Sequence, residues 1–400
     1  MRGKSSRPPE PEHGDTMLKT GIPGTSRKEN EKRVPVHPAH LERIPPELRG
    51  QITLQCGYGA PFGVEDQRLT ELGFPLADRD TVLGASELVI LPKPIPDDLA
   101  RMAEGAVLWG WPHAVQQRGI AQVAIDRRLT LLAFEAMFQW DPEGTRGTHV
   151  FHRNNELAGY CGILDALRLT GLDGSYGRPR RTIILSFGSV SRGAAHALKA
   201  RGFTDITALT LRPPHLVQDQ QFGVEYGRLY RPEDSGPMTA QPPGGDRRPL
   251  IELLADADVI VNGTLQNPEN PLMFVREGEE EQLRPGSLIV DVSCDEGMGF
   301  HFARPTTFED PMFTVGDHVR YYAVDHTPSY LWDAASWEIS NALLPYLPRV
   351  AAGPEAWDAS ETLRRAIEIR NGTVRNPVIL SFQNRAAEYP HPRQASEAGA

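Results

Sequence analysis

The stretch Arg181–Gly202, RTIILSFGSVSRGAAHALKARG, decides how the chain is read. An apolar run meets a turn of small residues, and an amphipathic segment follows at helical spacing. A strand, a tight turn and a helix whose N-terminus faces the turn make a cradle for a dinucleotide pyrophosphate, because free backbone N–H groups and the helix dipole hold anionic oxygen. The motif departs from G-x-G-x-x-G: Ser186 and Ser191 stand at the first and third Gly positions, Gly188 keeps the middle one, and Gly193 lies two residues beyond. Ser186, Gly188, Ser189, Val190, Ser191, Arg192 and Gly193 are therefore the residues expected around the phosphates.

The next strand, DITALTL, ends near Thr210, 22 residues after Gly188. An NAD-selective site carries Asp or Glu there for the ribose 2′-hydroxyl. This chain has no acid at that point and places Arg212 beside it. An Arg pairs with a 2′-phosphate, so the expected cofactor is NADP(H), with NAD(H) as the alternative. Thr210 and Arg212 would lie at the ribose, and Arg192 would be a second clamp.

Strand and helix patterns alternate on both sides of this stretch. Upstream, LKTGIP, ITLQCGYG, SELVILPKPIP, AVLWGW and LTLLAFE are separated by helical segments; downstream, DVIVNG, GSLIVDVS and HVRYYAVDH continue the series. That rhythm predicts an α/β protein of two Rossmann-like domains with parallel sheets and a cleft between them. RNNELAGYCGILDALRLTG reads as the helix joining them, and the Pro/Gly-rich residues 231–249 as a surface insertion. After residue 329, AASWEISNALLPYL and ASETLRRAIEIRNG read as helices folding back on the first domain, which makes that domain discontinuous. The expected layout is a disordered tail at 1–16, a substrate domain at 17–155 and 327–389, an NAD(P)-binding domain at 156–326, and a loose tail at 390–400.

Composition narrows the partners. The 400 residues carry 42 Lys+Arg against 52 Asp+Glu, a formal charge of −10, which disfavours nucleic acid and acidic membrane surfaces. Cys56, Cys161 and Cys294 have no CxxC spacing, so neither a disulfide framework nor a metal site is expected. No apolar run approaches 18 residues and the N-terminus lacks an apolar signal core, so the expected setting is cytoplasmic, with small-molecule partners. Only six of the basic residues are Lys, and after residue 33 the two that occur are Lys93 and Lys199.

Lys93 follows SELVILP, His113 follows AVLWGWP, and Glu135 follows LTLLAF, each at a strand end. In a parallel sheet those ends open on one edge, toward the cleft. Lys and His exchange protons with the oxygen or nitrogen of a carbonyl or imine, and a nearby carboxylate tunes them. Arg33, in the loop SRKENEKR, can hold a substrate carboxylate bidentately. Each also has a plainer reading: a His after Trp-Pro is often a packed residue, and a Glu after Phe can cap a helix.

Taken in order, ENEKRVPVHPAH, ILPKPIP, WGWPHAVQ, LAFEAM, HRNNELAGYCG, ILSFGSVSRGA, DVSCDEGMGF and AVDHTPSYLWDAAS resemble the superfamily of alanine dehydrogenases and lysine-forming saccharopine dehydrogenases. The likeness is nearest to the N5-(carboxyethyl)ornithine synthase branch and runs from about Leu18 to Gln383. The resemblance implies that Arg33 binds the oxo-acid carboxylate, that Lys93 and His113 are the acid/base pair, that Glu135 is the carboxylate beside them, and that Asp295 is an active-site Asp. It also implies that Asp325 and His326, in a segment more like the saccharopine dehydrogenase pattern, border the cofactor. The implied activity is NADPH-dependent reduction of an imine formed from a pyruvate-like 2-oxo acid and an amino acid amine. The alternative is alanine dehydrogenase-type chemistry with ammonia, and a homo-oligomer is implied in either case.

Overall fold

A computed structural model describes residues 17–232, 236–267 and 270–394; the tail expected at 1–16 and residues 395–400 of the C-terminal tail lie outside the described residues. Six short apolar runs form the first sheet: β1 (Thr20–Ile22), β2 (Ile52–Gln55), β3 (Leu76–Ala77), β4 (Leu88–Ile90), β5 (Val107–Gly110) and β6 (Thr130–Ala133). Each pairs in parallel with its neighbours. Continuous Leu, Val and Ile runs suit strands covered on both faces, and β4, β5 and β6 are buried at every position. A hairpin of β7 (Phe138–Trp140) and β8 (Arg146–His149) precedes the long helix His152–Thr170, which crosses to the second domain.

There the strands are β9 (Arg181–Leu185), β10 (Asp205–Thr210), β11 (Glu225–Tyr230), β12 (Thr239–Gln241), β13 (Arg248–Pro249), β14 (Val259–Asn262), β15 (Met273–Val275), β16 (Leu288–Asp291), β17 (Gly299–Phe300), β18 (Met312–Val315) and β19 (Val319–Tyr322). The chain then returns to the first domain with β20 (Ile367–Arg370) and β21 (Thr373–Val374). Among the described residues the first sheet runs β21-β20-β6-β5-β4-β1-β2-β3 and the second β13-β12-β11-β10-β9-β14-β16-β19-β18, while β15 and β17 pair with each other. The run β11-β10-β9-β14-β16-β19 is parallel throughout. Its order reverses between β9 and β14, the switch point at which such sheets bind ligands. No helix among the described residues is long and apolar enough to cross a membrane.

Three segments differ from the sequence reading. IEIRNG is not helical: β20 adds antiparallel to β6, because Ile367 packs into one face's core with Trp109 and Leu132 while Ile369 packs into the other with Val89 and Leu131. Residues 231–249 are not purely a surface excursion. They supply β12 and β13 to the sheet edge beside β11, a strand the sequence reading passed over, and Met238 and Ala240 are buried. Residues 390–394 are fastened, since His391 is buried with Nε2 accepting the Val374 N–H at 3.0 Å, and the Gln394 N–H donates to the Asn384 carbonyl at 2.8 Å.

Candidate active site

The carboxyl ends of β4, β5 and β6 put three side chains on one edge. Lys93 leaves the Pro-flanked loop after β4, and its Nζ lies 2.9 Å from Nε2 of His113, which follows β5 with a left-handed φ of 45°. Glu135 sits on the 3-10 turn Phe134–Ala136 after β6, where Oε1 accepts the His113 backbone N–H at 2.7 Å and lies 3.7 Å from Nδ1 of the same ring. That single bond fixes the turn on which His113 is carried.

The second domain closes the group. Asp325, just after β19, accepts from Lys93 Nζ through Oδ1 at 3.4 Å and from Lys28 Nζ through Oδ2. Lys28 belongs to the loop after β1, so one carboxylate is held by two ammonium groups from the opposite domain. Beside it, His326 Nε2 donates to the Glu29 carbonyl at 2.8 Å. The sequence reading expects Asp325 and His326 to border the cofactor; in the structure Asp325 also meets Lys28 and Lys93 and His326 meets the Glu29 carbonyl, and Lys28 is the contact that reading left out.

Electrostatics follow from this packing. Burial lowers the Lys93 ammonium, with Lys28 and Arg33 adding to the effect and Asp325 opposing it. Burial, then Lys93, holds His113 well below the usual imidazole range. Burial lifts Asp325, but Lys93, His326 and Lys28 outweigh it and keep the carboxyl well below its ordinary value. Asp295, on the loop after β16, is raised to about 6 by burial and by Asp325. Glu135 is raised to about 8, by burial first and then by Glu368. Burial thus weakens the charged form of both members of the Lys93–His113 pair, which favours passage of a proton between them.

Arg33 adjoins this group without opening into it. It is 1% exposed; Nε and Nη2 donate to the two carboxylate oxygens of Glu31 at 2.8 and 2.5 Å, and Nη1 donates to Asn154 Oδ1 at 3.2 Å. A guanidinium has five N–H donors, so two remain for a substrate. Burial raises Glu31, yet Arg33 brings it down to about 2.

At the nucleotide turn the serines have physical explanations. Ser186 adopts φ 74°, a backbone for which glycine is the ordinary choice, and its own N–H is tied to the Leu209 carbonyl at 2.8 Å. Ser191 is fully buried against Gly263 of the strand edge, where a Cβ would come within 2.4 Å of Ser191 Oγ, so the missing glycine of the helix is matched by one across from it. Gly193 serves the crossing of the helices His152–Thr170 and Ser189–Ala200: its Cβ would fall 1.8 Å from the Glu156 carbonyl oxygen. Gly188 is the N-cap of Ser189–Ala200, with no side chain capping it and nothing within 4 Å of a Cβ placed there. That free helix end, with Ser189 and Val190 in its first turn, fits a pyrophosphate. Arg192 bonds Ser189 Oγ at 3.2 Å and lies between Glu156 and Asp219 at 3.8 and 3.6 Å. Thr210 Oγ donates to the Arg212 carbonyl at 2.7 Å, and the Arg212 side chain is exposed at the end of β10.

Such a fold, with a nucleotide-type strand–turn–helix in one domain and a buried Lys–His contact in the other, fits a two-domain nicotinamide-dependent oxidoreductase. Residues 21–154 match the family described as alanine dehydrogenase/PNT, N-terminal domain, and residues 178–377 match alanine dehydrogenase/PNT, C-terminal domain. The chain belongs to the alanine dehydrogenase/PNT family and is an NAD(P)-dependent oxidoreductase acting on CH–NH2 or CH–NH groups. It is 25% identical to alanine dehydrogenase of Mycobacterium tuberculosis over 344 residues, 84% of this chain and 88% of that one. It is 24% identical to N(5)-(carboxyethyl)ornithine synthase of Lactococcus lactis subsp. lactis over 343 residues, 82% and 92% of the two chains. Among solved structures, an L-alanine dehydrogenase superposes with a TM-score of 0.71 at 21% identity, covering 91% of this chain and 98% of that one. The transhydrogenase from Sinorhizobium meliloti gives 0.64 at 16%, covering 90% and 99%.

Proposed function

We propose that the chain reduces, with NADPH, the imine formed between a pyruvate-like 2-oxo acid and the amine of an amino acid, giving an opine-type secondary amine with two carboxylates. The observation that carries this reading is the Lys93–His113 contact at 2.9 Å, set against Asp325 from the other domain. Bound nicotinamide supplies the hydride. Lys93, whose ammonium form burial weakens, takes the proton that the amine loses as it adds to the oxo carbon. His113, 2.9 Å away, relays that proton to the oxo oxygen, which becomes the hydroxyl; a second proton, drawn from solvent along the same pair, lets the hydroxyl leave as water, and the protonated imine remains to accept the hydride. Anchoring of the oxo-acid carboxylate by Arg33 requires its two remaining N–H groups to turn out of the Glu31–Asn154 clasp toward the cleft, and Asp295 feels the charge of Asp325 at the other wall. Ser186, Gly188, Ser189, Val190 and Arg192 hold the phosphates, and Thr210 and Arg212 the ribose 2′-phosphate.

Alanine dehydrogenase-type chemistry with ammonia is the second reading, favoured by the near-equal identity to relatives of both names. NADPH oxidation in the presence of pyruvate with either ornithine or ammonium separates them: turnover with ornithine and none with ammonium is expected, and turnover with ammonium alone would overturn the opine reading. In the same assay Arg212→Glu should raise the KM for NADPH at least about tenfold and leave that for NADH nearly unchanged, as loss of one charge-assisted contact requires. We further propose a substrate domain at 17–155 and 327–389, a nucleotide domain at 156–326, a cytoplasmic setting and a homo-oligomer.

A further inference from the structure

Glu368 is a buried carboxyl for which the mechanism above has no use. It is 6% exposed and lies on β20, the strand that returns from the far end of the chain. In the β20–β6 ladder Ile367 stands opposite Leu132 and Ile369 opposite Leu131, so β20 advances two residues where β6 advances one. Glu368 is the extra residue of that bulge, and bulges beside active sites re-aim a side chain. The Ala133 N–H bonds the Ala366 carbonyl at 2.8 Å, which holds the turn carrying Glu135 against the same strand.

The two carboxyl groups are complementary in what they lack. Glu368 Oε1 accepts from Asn376 Nδ2 at 3.2 Å and Glu135 Oε1 accepts the His113 N–H. The Oε2 atoms of both are inaccessible and have no hydrogen-bond partner among the described residues. Neither carboxyl pairs with a Lys or Arg there; the nearest basic atom in an ion pair is His113 Nδ1, 3.7 Å from Glu135. Of the charged groups around Glu135, Glu368 acts on it most strongly, and burial raises Glu368 itself to about 7. Two buried carboxyls that act on each other, with Lys93 acting on Glu135 less than Glu368 does, do not readily both ionise, whereas one proton held between them would satisfy the orphaned oxygens.

We propose that Glu368 is a positioning residue that shares a single proton with Glu135, so that the carboxyl behind His113 holds a proton at neutral pH and exchanges it as His113 and Lys93 pass theirs. The proposal rests on the acid/base reading of those two residues. The other groups facing the pair do not replace the proton. His149, from β8, is lowered to about 4 mainly by burial and is neutral. Asn376 carries no charge, Arg365 lies over Trp140 and pairs with Glu361, and Arg375 is exposed.

Infrared difference spectroscopy and the pH profile of kcat/KM test this on the full chain with Glu368→Gln, which keeps the size and the Asn376 contact. The wild type should show the carbonyl stretch of a buried protonated carboxyl at pH 7, and Glu368→Gln should lose it as Glu135 ionises. Because ionised Glu135 favours the charged forms of His113 and Lys93, the acid limb of the profile should move up by about one pH unit or more, with the melting temperature preserved. A band that persists in the variant, or a profile that does not move, overturns the proposal. If Glu368→Gln does not fold, Glu135→Gln must abolish the same band, and a band that survives there is equally fatal. The spectroscopic arm needs no substrate: loss of the band in a protein that turns over no oxo acid and amine would leave the shared proton standing and remove the imine reading.

Discussion

Lys93 and His113 are 2.9 Å apart at the ends of adjacent parallel strands, and burial disfavours the charged form of each. Because the Lys93 value is lowered, its neutral form is present at a pH where an exposed lysine, ordinarily near 10.5, would be fully charged. The sign is definite: activity that needs neutral Lys93 rises with pH through the lowered value and is lost on the acid side. Lys93→Met should reduce kcat by about 10²-fold or more, with NADPH affinity by fluorescence titration changed less than about threefold. Lys93→Arg should be nearly as poor, since a guanidinium keeps its proton; full activity in either variant would remove Lys93 from the proton path. These residues were legible because each directly follows an apolar strand. Lys28 was not, because its meaning lies in Asp325, 297 residues away, and only the closed cleft brings them together.

At the level of elements, the glycine of the turn and the glycine one turn into the helix after it have opposite tasks. Gly193 lets two helices touch, and its Cβ would collide with backbone, whereas a Cβ on Gly188 meets nothing in the protein. Gly193→Ala should therefore cost about 1–3 kcal/mol or more of stability, seen as a lowered denaturant midpoint. Gly188→Ala should leave that midpoint within about 0.5 kcal/mol and weaken nucleotide binding several-fold. Equal midpoints for the two variants would contradict the packing assignment. The turn itself was legible from its strand–turn–helix pattern, but not the division of labour, because Gly263, which faces Ser191, and Gly159, whose Cβ would fall 1.9 Å from the Val190 carbonyl oxygen, lie far away in sequence. β20 escaped notice for a related reason: ETLRRAIEIR has helical spacing, and only the open edge of β6 draws its last four residues into a strand. With β20 hidden, so was Glu368.

Across the whole molecule one loop fastens the two domains. Lys28 reaches Asp325, the Glu29 carbonyl accepts from His326, and the Glu29 carboxylate accepts the N–H groups of Phe308 and Glu309. Lys28→Met should speed hydrogen exchange in residues 26–32 and 325–329 together, without affecting β4 to β6. Acceleration in only one of the two segments would mean that the ion pair does not hold the cleft. The two-domain architecture was legible because parallel strands demand crossover helices; the seam was not, because exposed Lys and Glu in a loop look alike whether they face solvent or another domain.

The return of residues 367–374 to the first sheet also has a meaning for biosynthesis. The nucleotide domain is continuous, so every strand from β9 to β19 has left the ribosome while the first sheet still lacks β20 and β21. A chain emerging N-terminus first can thus complete its second domain before its first. Until residues 367–374 appear, β6 is an unpaired edge and Glu135 has no partner across it. A nascent or truncated chain would bind nucleotide before it could handle protons, and would present that edge to any neighbouring strand in the meantime.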